Sequence, residues 1–299
     1  MTKKLLIFLF LIACFYCLRS LGYACHFEEW TGRGLYPGLA LSKGFDLYEM
    51  QKGPLVTMYG FGMAFFYSLA GFVSHPTTAI TIGYLMNLLG LTLPLYFISR
   101  KLCQDRENST LDSISLPVIS SLLVIFCMQL EKTTSGVLKI HADTPALSFI
   151  LIGLCLFQQY EFKKSNKFLF LTSLSLSLAV WSKLPTLPAL FFPFIYLFLN
   201  RRFKDSLNFI LVISLTFIGL SALLFLVYGF DDVYYYIIQF PSGSMWSYRN
   251  ELFDGSNALF KRHSYLEGIP LLFRFFVMYL AEYWYFIFSN FVIFLLSFK

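Results

Sequence analysis

The feature that most limits what this chain can fold into is a succession of apolar runs separated by short basic turns. Runs stand at 5–18, 78–98, 114–130, 145–160, 168–181, 186–200, 207–229 and 271–296. The hydrocarbon core of a bilayer takes about 20 apolar residues of helix, and several runs approach that length. Continuous runs exclude a porin-like barrel, whose strands would alternate over segments of about ten residues. Only 13% of the residues are charged, whereas a soluble domain carries about 25%. That is too little charge to coat a water-exposed surface. The expectation is an all-α fold: a polytopic transmembrane helical bundle of about eight spans, one domain over the whole chain.

Basic clusters set the sidedness. Arg100, Lys101 and Arg106 form one, Lys163, Lys164 and Lys167 the next, and Arg201, Arg202 and Lys204 the third. Short loops rich in Lys and Arg stay cytoplasmic, so the net charge of +6 is a topology signal and implies no nucleic-acid partner. Leu11-Ile12-Ala13-Cys14 has the look of a lipoprotein cleavage box. The apolar stretch nevertheless continues past Arg19 and many runs follow, so we read an uncleaved first helix with a cytoplasmic N-terminus. Residues 26–77 then form the first extracytoplasmic loop and 230–270 the second, and 131–144 and Ser182-Lys183 face the same side. Within the first loop, 54–73 cannot cross without breaking parity. We keep it outside as a re-entrant or interfacial helix; the competing assignment makes it a span and demotes one short later run. Its Gly60, Gly62 and Gly71 and its aromatics Tyr59, Phe61, Phe65, Phe66 and Tyr67 suit an interface.

Ionisable groups at membrane depth are costly, so each asks for a partner or a role. Glu28 and Glu29 follow the first run. His141 and Asp143 precede the 145–160 run. Lys183 lies between two runs. All fall on the outer side of the expected topology and could share one pocket. There a carboxylate could accept a proton as general base, and a lysine could stabilise charge building on a phosphate. Plainer readings stand beside these. Adjacent Glu28 and Glu29 cannot point the same way on a helix. Asp143 before Thr144-Pro145 is placed to be a helix N-cap. His141 fits an interfacial histidine, and Lys183 a snorkelling flank. Lys52 and Arg249 are loop charges that could contact an anion. The six cysteines show no disulfide framework, and Cys14-x-x-Cys17 sits inside a run where a thiol is usually inert.

Four motifs occur in order. They are the acidic pair Glu28-Glu29, then Gly44-Phe45-Asp46-Leu47-Tyr48 followed by Gly53-Pro54-Leu55, then Asp143-Thr144-Pro145, then Ser182-Lys183-Leu184-Pro185. Over roughly residues 1 to 200 this series resembles the GT-C superfamily of integral-membrane glycosyltransferases, notably the bacterial relatives of dolichyl-phosphate-mannose–protein mannosyltransferases. The resemblance implies a bacterial inner-membrane enzyme that uses a polyprenyl-phosphate-linked sugar as donor and acts on the outer face. It implies Glu28 or Glu29 as catalytic base. It implies Lys183 near the lipid phosphate, with Asp143, His141, Lys52 and Arg249 as further substrate-binding candidates. Some members bind a divalent metal, and the acceptor is a lipid, glycan or protein. Members usually run longer, so the resemblance implies that the C-terminal part of the pattern is missing. Two other readings remain open: a non-enzymatic carrier of a lipid-linked or anionic solute, and an inactive relative acting as assembly partner. A carrier would favour matched halves with mid-membrane charges, and no half-to-half repeat is visible.

Overall fold

A computed structural model describes residues 29–48, 59–104 and 140–239. The chain divides into two compact units, Met1–Ile237 and Ile238–Lys299, and the architecture below belongs to the first. Among the described residues 86% are helical and there is no strand, as expected for an all-α chain. The runs 5–18, 114–130 and 271–296, together with Glu28, Lys52 and Arg249, lie outside the described residues.

Helix α1 spans Glu29–Ser42. Helix α2 spans Phe61–Tyr67 and runs into a 3-10 turn, Ser68–Phe72. Then come α3, Pro76–Gln104, and α4, Asp143–Lys163. Helix α5 is Asn166–Ser182, followed by a 3-10 segment, Leu184–Phe191, and α6, Phe192–Leu199. Helix α7 is Phe203–Tyr228, and α8, Phe230–Tyr234, continues into a π turn, Tyr235–Gln239. The segment expected as loop from 230 therefore begins helical.

Among the described residues three helices are long and apolar enough to cross a membrane: Pro76–Ile98 within α3, Asp143–Lys163 and Phe203–Tyr228. Their 23, 21 and 26 residues correspond to about 32–39 Å of helix, against a hydrocarbon core of about 30 Å. The chain is on this evidence a membrane protein. The run expected as a span at 186–200 is not one continuous α-helix. Pro185, Pro188 and Pro193 each lack the N–H that an α-helical ladder needs, and the segment breaks into 3-10 turns before α6.

Local sequence explains the helix ends. Pro76 takes the first position of α3, where its missing N–H costs nothing. Lys164 adopts a left-handed conformation (φ 48°) and closes α4, its N–H donating to Tyr160 O at 2.7 Å. Only Lys164 and Ser165 separate α4 from α5, so the two form an antiparallel hairpin. The last turn of α1 is closed by Gly44 (φ 74°): Gly44 N–H donates to Leu41 O and Phe45 N–H to Ala40 O, the Schellman pattern that favours glycine.

The interior is apolar with hydroxyl side chains set into it. Helix α5 buries Thr172, Ser173, Ser175, Ser177 and Ser182 along with Leu176, Ala179 and Val180. Thr172, Ser173 and Ser182 donate back to carbonyls one turn earlier, and Ser175 Oγ donates across to Phe149 O of α4 at 2.8 Å. Helix α7 turns Leu207, Leu211, Leu215, Ile218 and Leu226 outward, the last 84% exposed. Buried small and hydroxyl side chains on one helix and outward-facing leucines on another suit helices packed in lipid.

Helix α2 is too short to cross anything. It lies against α1 and the last turns of α5, and no side-chain layer separates it from α5. A Cβ on Gly60 would strike the Trp181 carbonyl, and one on Gly62 the Leu178 carbonyl and Ser182 Oγ. Gly60→Ala must push α2 off α5. We expect a loss of about 1–3 kcal/mol, read as a lower thermal unfolding midpoint in detergent, whereas Gly219→Ala, which meets open space, should leave that midpoint unchanged.

Candidate functional site

The hairpin of α4 and α5 puts the start of one helix beside the end of the other. Asp143 lies in the first turn of α4, and Lys183 follows α5 in extended conformation. They meet: Lys183 Nζ donates to Asp143 Oδ1. His141 Nδ1 lies 2.8 Å from Asp143 Oδ2. On the other side of the ring, His141 Nε2 lies 2.7 Å from Tyr59 Oη. A carboxylate can only accept, so Nδ1 carries its hydrogen. In the neutral ring Nε2 then accepts the Tyr59 hydroxyl proton. Four side chains from three distant segments thus form one chain: Tyr59, His141, Asp143, Lys183.

The N-cap expected at Asp143 is corrected by these contacts. The cap position is Ala142, with no side-chain capping bond. Asp143 sits one residue inside, where its charge still favours the helix N-terminus, but both its oxygens point sideways to His141 and Lys183. Nor is Lys183 merely a flank. Its side chain is 31% exposed and that of Asp143 58%, so the pair is open to water and contributes little stability by itself. Its value is positional.

The support beneath is buried. Tyr67 Oη donates to Asn87 Oδ1 of α3 at 2.8 Å and lies 3.4 Å from the His141 carbonyl oxygen. Tyr67 and Asn87 are both fully buried. Ile140 and Ala142, either side of His141, are buried against Met63, Tyr67 and Leu35. The residues that hold the histidine are therefore packed while the histidine itself reaches water. Helix α1 crosses here too: a Cβ on Gly34 would strike the Ile140 carbonyl, about one and a half turns after Glu29.

The Gly44–Tyr48 motif has a structural explanation residue by residue. Gly44 closes α1. Asp46 Oδ1 accepts the Tyr48 N–H at 2.9 Å, a turn that Asp favours. Tyr48 is wholly buried, its ring edge-on to Tyr228 with centroids 5.2 Å apart and its hydroxyl 3.5 Å from the Tyr59 carbonyl. Burial, then Tyr228 and Asp46 nearby, push its phenol well above the ordinary range, so it stays a neutral anchor. Trp181 packs in the same cluster and donates from Nε1 to Ser221 Oγ at 3.2 Å. The backbone bearing Tyr59 is thereby held next to the end of α5.

Of the residues singled out in the sequence, His141, Asp143 and Lys183 come together. Glu29 opens α1. Glu28, Lys52 and Arg249 fall outside the described residues. Tyr59 was visible only as an interfacial aromatic, because its partner is supplied by tertiary packing. Asn87 carried a usable signal: an amide in the middle of an apolar run needs a partner. The set does not fit a divalent ion. Lys183 brings a positive charge to Asp143, and among the described residues no three His, Cys, Asp or Glu side chains gather.

No protein-family model, no curated protein and no solved structure matches this chain.

Tyr67→Phe leaves the buried Asn87 oxygen without that donor. We expect a loss of about 1–3 kcal/mol and a smaller one in Tyr67→Phe/Asn87→Leu, where both polar groups are gone. Unfolding midpoints of the single and double variants check this; additive losses would contradict it.

Proposed function

We propose that this chain is a glycosyltransferase of the GT-C type, moving a sugar from a polyprenyl phosphate to an acceptor on the outer face of the membrane. The observation that carries the reading is the Tyr59–His141–Asp143–Lys183 chain at the end of the bundle away from the basic turns. It unites two of the motifs that resemble that superfamily, Asp143-Thr144-Pro145 and Ser182 to Pro185.

The chemistry follows from the side chains. The acceptor hydroxyl oxygen forms a bond to the anomeric carbon while the bond from that carbon to the phosphate oxygen breaks. Negative charge then builds on the departing polyprenyl phosphate. Lys183 has three N–H donors and gives one to Asp143, leaving two for phosphate oxygens. Asp143 is the positioning residue for both Lys183 and His141. The acceptor's proton passes to a first-loop carboxylate, Glu28 or Glu29. Lys52 and Arg249 are further candidates for holding the phosphate.

Orientation is part of the proposal. Lys101 of α3 lies over Phe162 near the end of α4, and Arg202 pairs with Glu161 there. The three basic turns therefore gather at one end, which the positive-inside rule makes cytoplasmic. Tyr59, His141, Asp143 and Lys183 are at the opposite, outer end. Helices α1 and α2, 14 and 7 residues long, would then lie at the outer interface.

Two measurements test this reading. Cells lacking the gene should accumulate a sugar-bearing polyprenyl phosphate that cells expressing it consume. Of Glu28→Gln and Glu29→Gln, one should cut turnover about a hundredfold or more with expression intact, and Lys183→Ala should weaken donor use more than acceptor use. An unchanged lipid-linked profile on deletion would reject the enzyme. For sidedness, single cysteines at Phe72 and Lys204 in a cysteine-free background should differ. The first should react with an impermeant thiol reagent in intact cells and the second only after permeabilisation; the reverse order would invert the topology.

A further inference from the structure

The end of the bundle opposite Lys183 carries a second arrangement that the transfer reaction does not use. Two turns meet there, Lys164-Ser165 between α4 and α5, flanked by Lys163 and Lys167, and Asn200–Arg202 between α6 and α7. They are tied by Arg202, which donates to Glu161 and to Asp205. The end of α3 joins them through Lys101, whose ammonium lies 3.7 Å from the Phe162 ring centroid.

Among the described residues the charge is unbalanced. Glu161 and Asp205 are spent on Arg202 and Lys164. Arg100, Lys163, Lys167, Arg201 and Lys204 are exposed and have no acidic partner among the described residues. Both turns also place a cation at their left-handed residue, Lys164 at φ 48° and Arg201 at φ 57°. Glycine is the usual occupant of such a position. The charge is kept where the backbone alone would favour losing it.

The cations have apolar neighbours. Phe162, Phe170, Phe198, Leu199 and Phe203 are each about half exposed. Cations at the rim with aromatic and apolar side chains next to them match a molecule with an anionic head and hydrocarbon tails. A soluble phosphate needs no apolar neighbours, and basic clusters beside spanning helices attract anionic headgroups. We propose that this basic end is a binding site for anionic phospholipid headgroups of the leaflet it faces.

The test uses the full chain, purified in detergent and reconstituted in phosphatidylcholine with or without phosphatidylglycerol. Native mass spectrometry should show phosphatidylglycerol retained over phosphatidylcholine by about tenfold or more at low salt. That preference should vanish near 1 M salt, where screening falls to about 3 Å. The variant Lys163→Gln/Lys167→Gln/Arg201→Gly should lose most of it. Glycine at 201 suits the left-handed turn, so its thermal midpoint in phosphatidylcholine should match wild type. Equal retention of the two lipids by wild type, a preference that survives in the variant, or displacement of bound lipid by glycerol phosphate alone would each overturn the proposal. The wild-type comparison and its salt dependence decide the matter even if the variant does not fold.

Discussion

The backbone of α2 rests directly on the backbone of α5, and the arrangement around Lys183 depends on that contact. Gly60 faces the Trp181 carbonyl and Gly62 the Leu178 carbonyl. Protein interiors are close-packed, so a missing side-chain layer fixes two segments more tightly than an ordinary interface does. Tyr59 immediately precedes Gly60. Once the glycines are seated, the Tyr59 hydroxyl has little freedom except to meet the imidazole of His141. Gly34 does the same for α1, letting it pass against the Ile140 carbonyl. Three short segments are thereby layered without intervening bulk, and the polar groups at their edges fall within hydrogen-bonding reach of one another.

The two ends of the bundle use carboxylates differently. At the basic end, Glu161 and Asp205 converge on Arg202 and lock one turn to another, leaving the remaining cations outward. At the end that carries Lys183, Asp143 serves two donors. The first arrangement consumes its acids in structure. The second leaves Lys183 with donors to spare and a histidine bonded on both nitrogens. Linked, partly exposed ionisable groups of this kind are where binding and chemistry tend to be found, while exposed pairs contribute little to folding. Stability instead comes from the buried layer beneath, where Tyr67 and Asn87 satisfy each other.

The residues whose environment is local were legible in the sequence. The start of α4 at Asp143-Thr144-Pro145 and the break after Ser182 both follow from proline chemistry, and the apolar runs of α3, α4 and α7 follow from composition. The 186–200 run is apolar throughout, but hydropathy does not register Pro188 and Pro193 as interruptions of the helical ladder. The Gly44–Tyr48 motif was readable as a pattern but not as a function: each of its residues has a structural duty in the turn. Tyr59 could not have been found from spacing at all. Its partner lies in a segment brought near only when α2 seats on α5, and nothing local to Tyr59 anticipates that.

The meeting of Asp143 with Lys183 is a matter of register in the α4–α5 hairpin. Counted from the Lys164-Ser165 turn, α4 extends 21 residues and α5 only 17. At 1.5 Å per residue that leaves α5 about 6 Å short of the Asp143 level. A residue inside α5 could not close that gap, since its side chain would slant back toward the helix start. Lys183 lies just past the helix in extended backbone (φ −153°, ψ 111°), and Leu184-Pro185 behind it disfavours another helical turn. The extended residue gains rise, and the four-carbon stem of lysine covers the remainder. The proline that ends α5 is therefore also what delivers the ammonium to the carboxylate. A helix prolonged by one turn at that point would carry the cation around to another face and leave Asp143 with His141 alone.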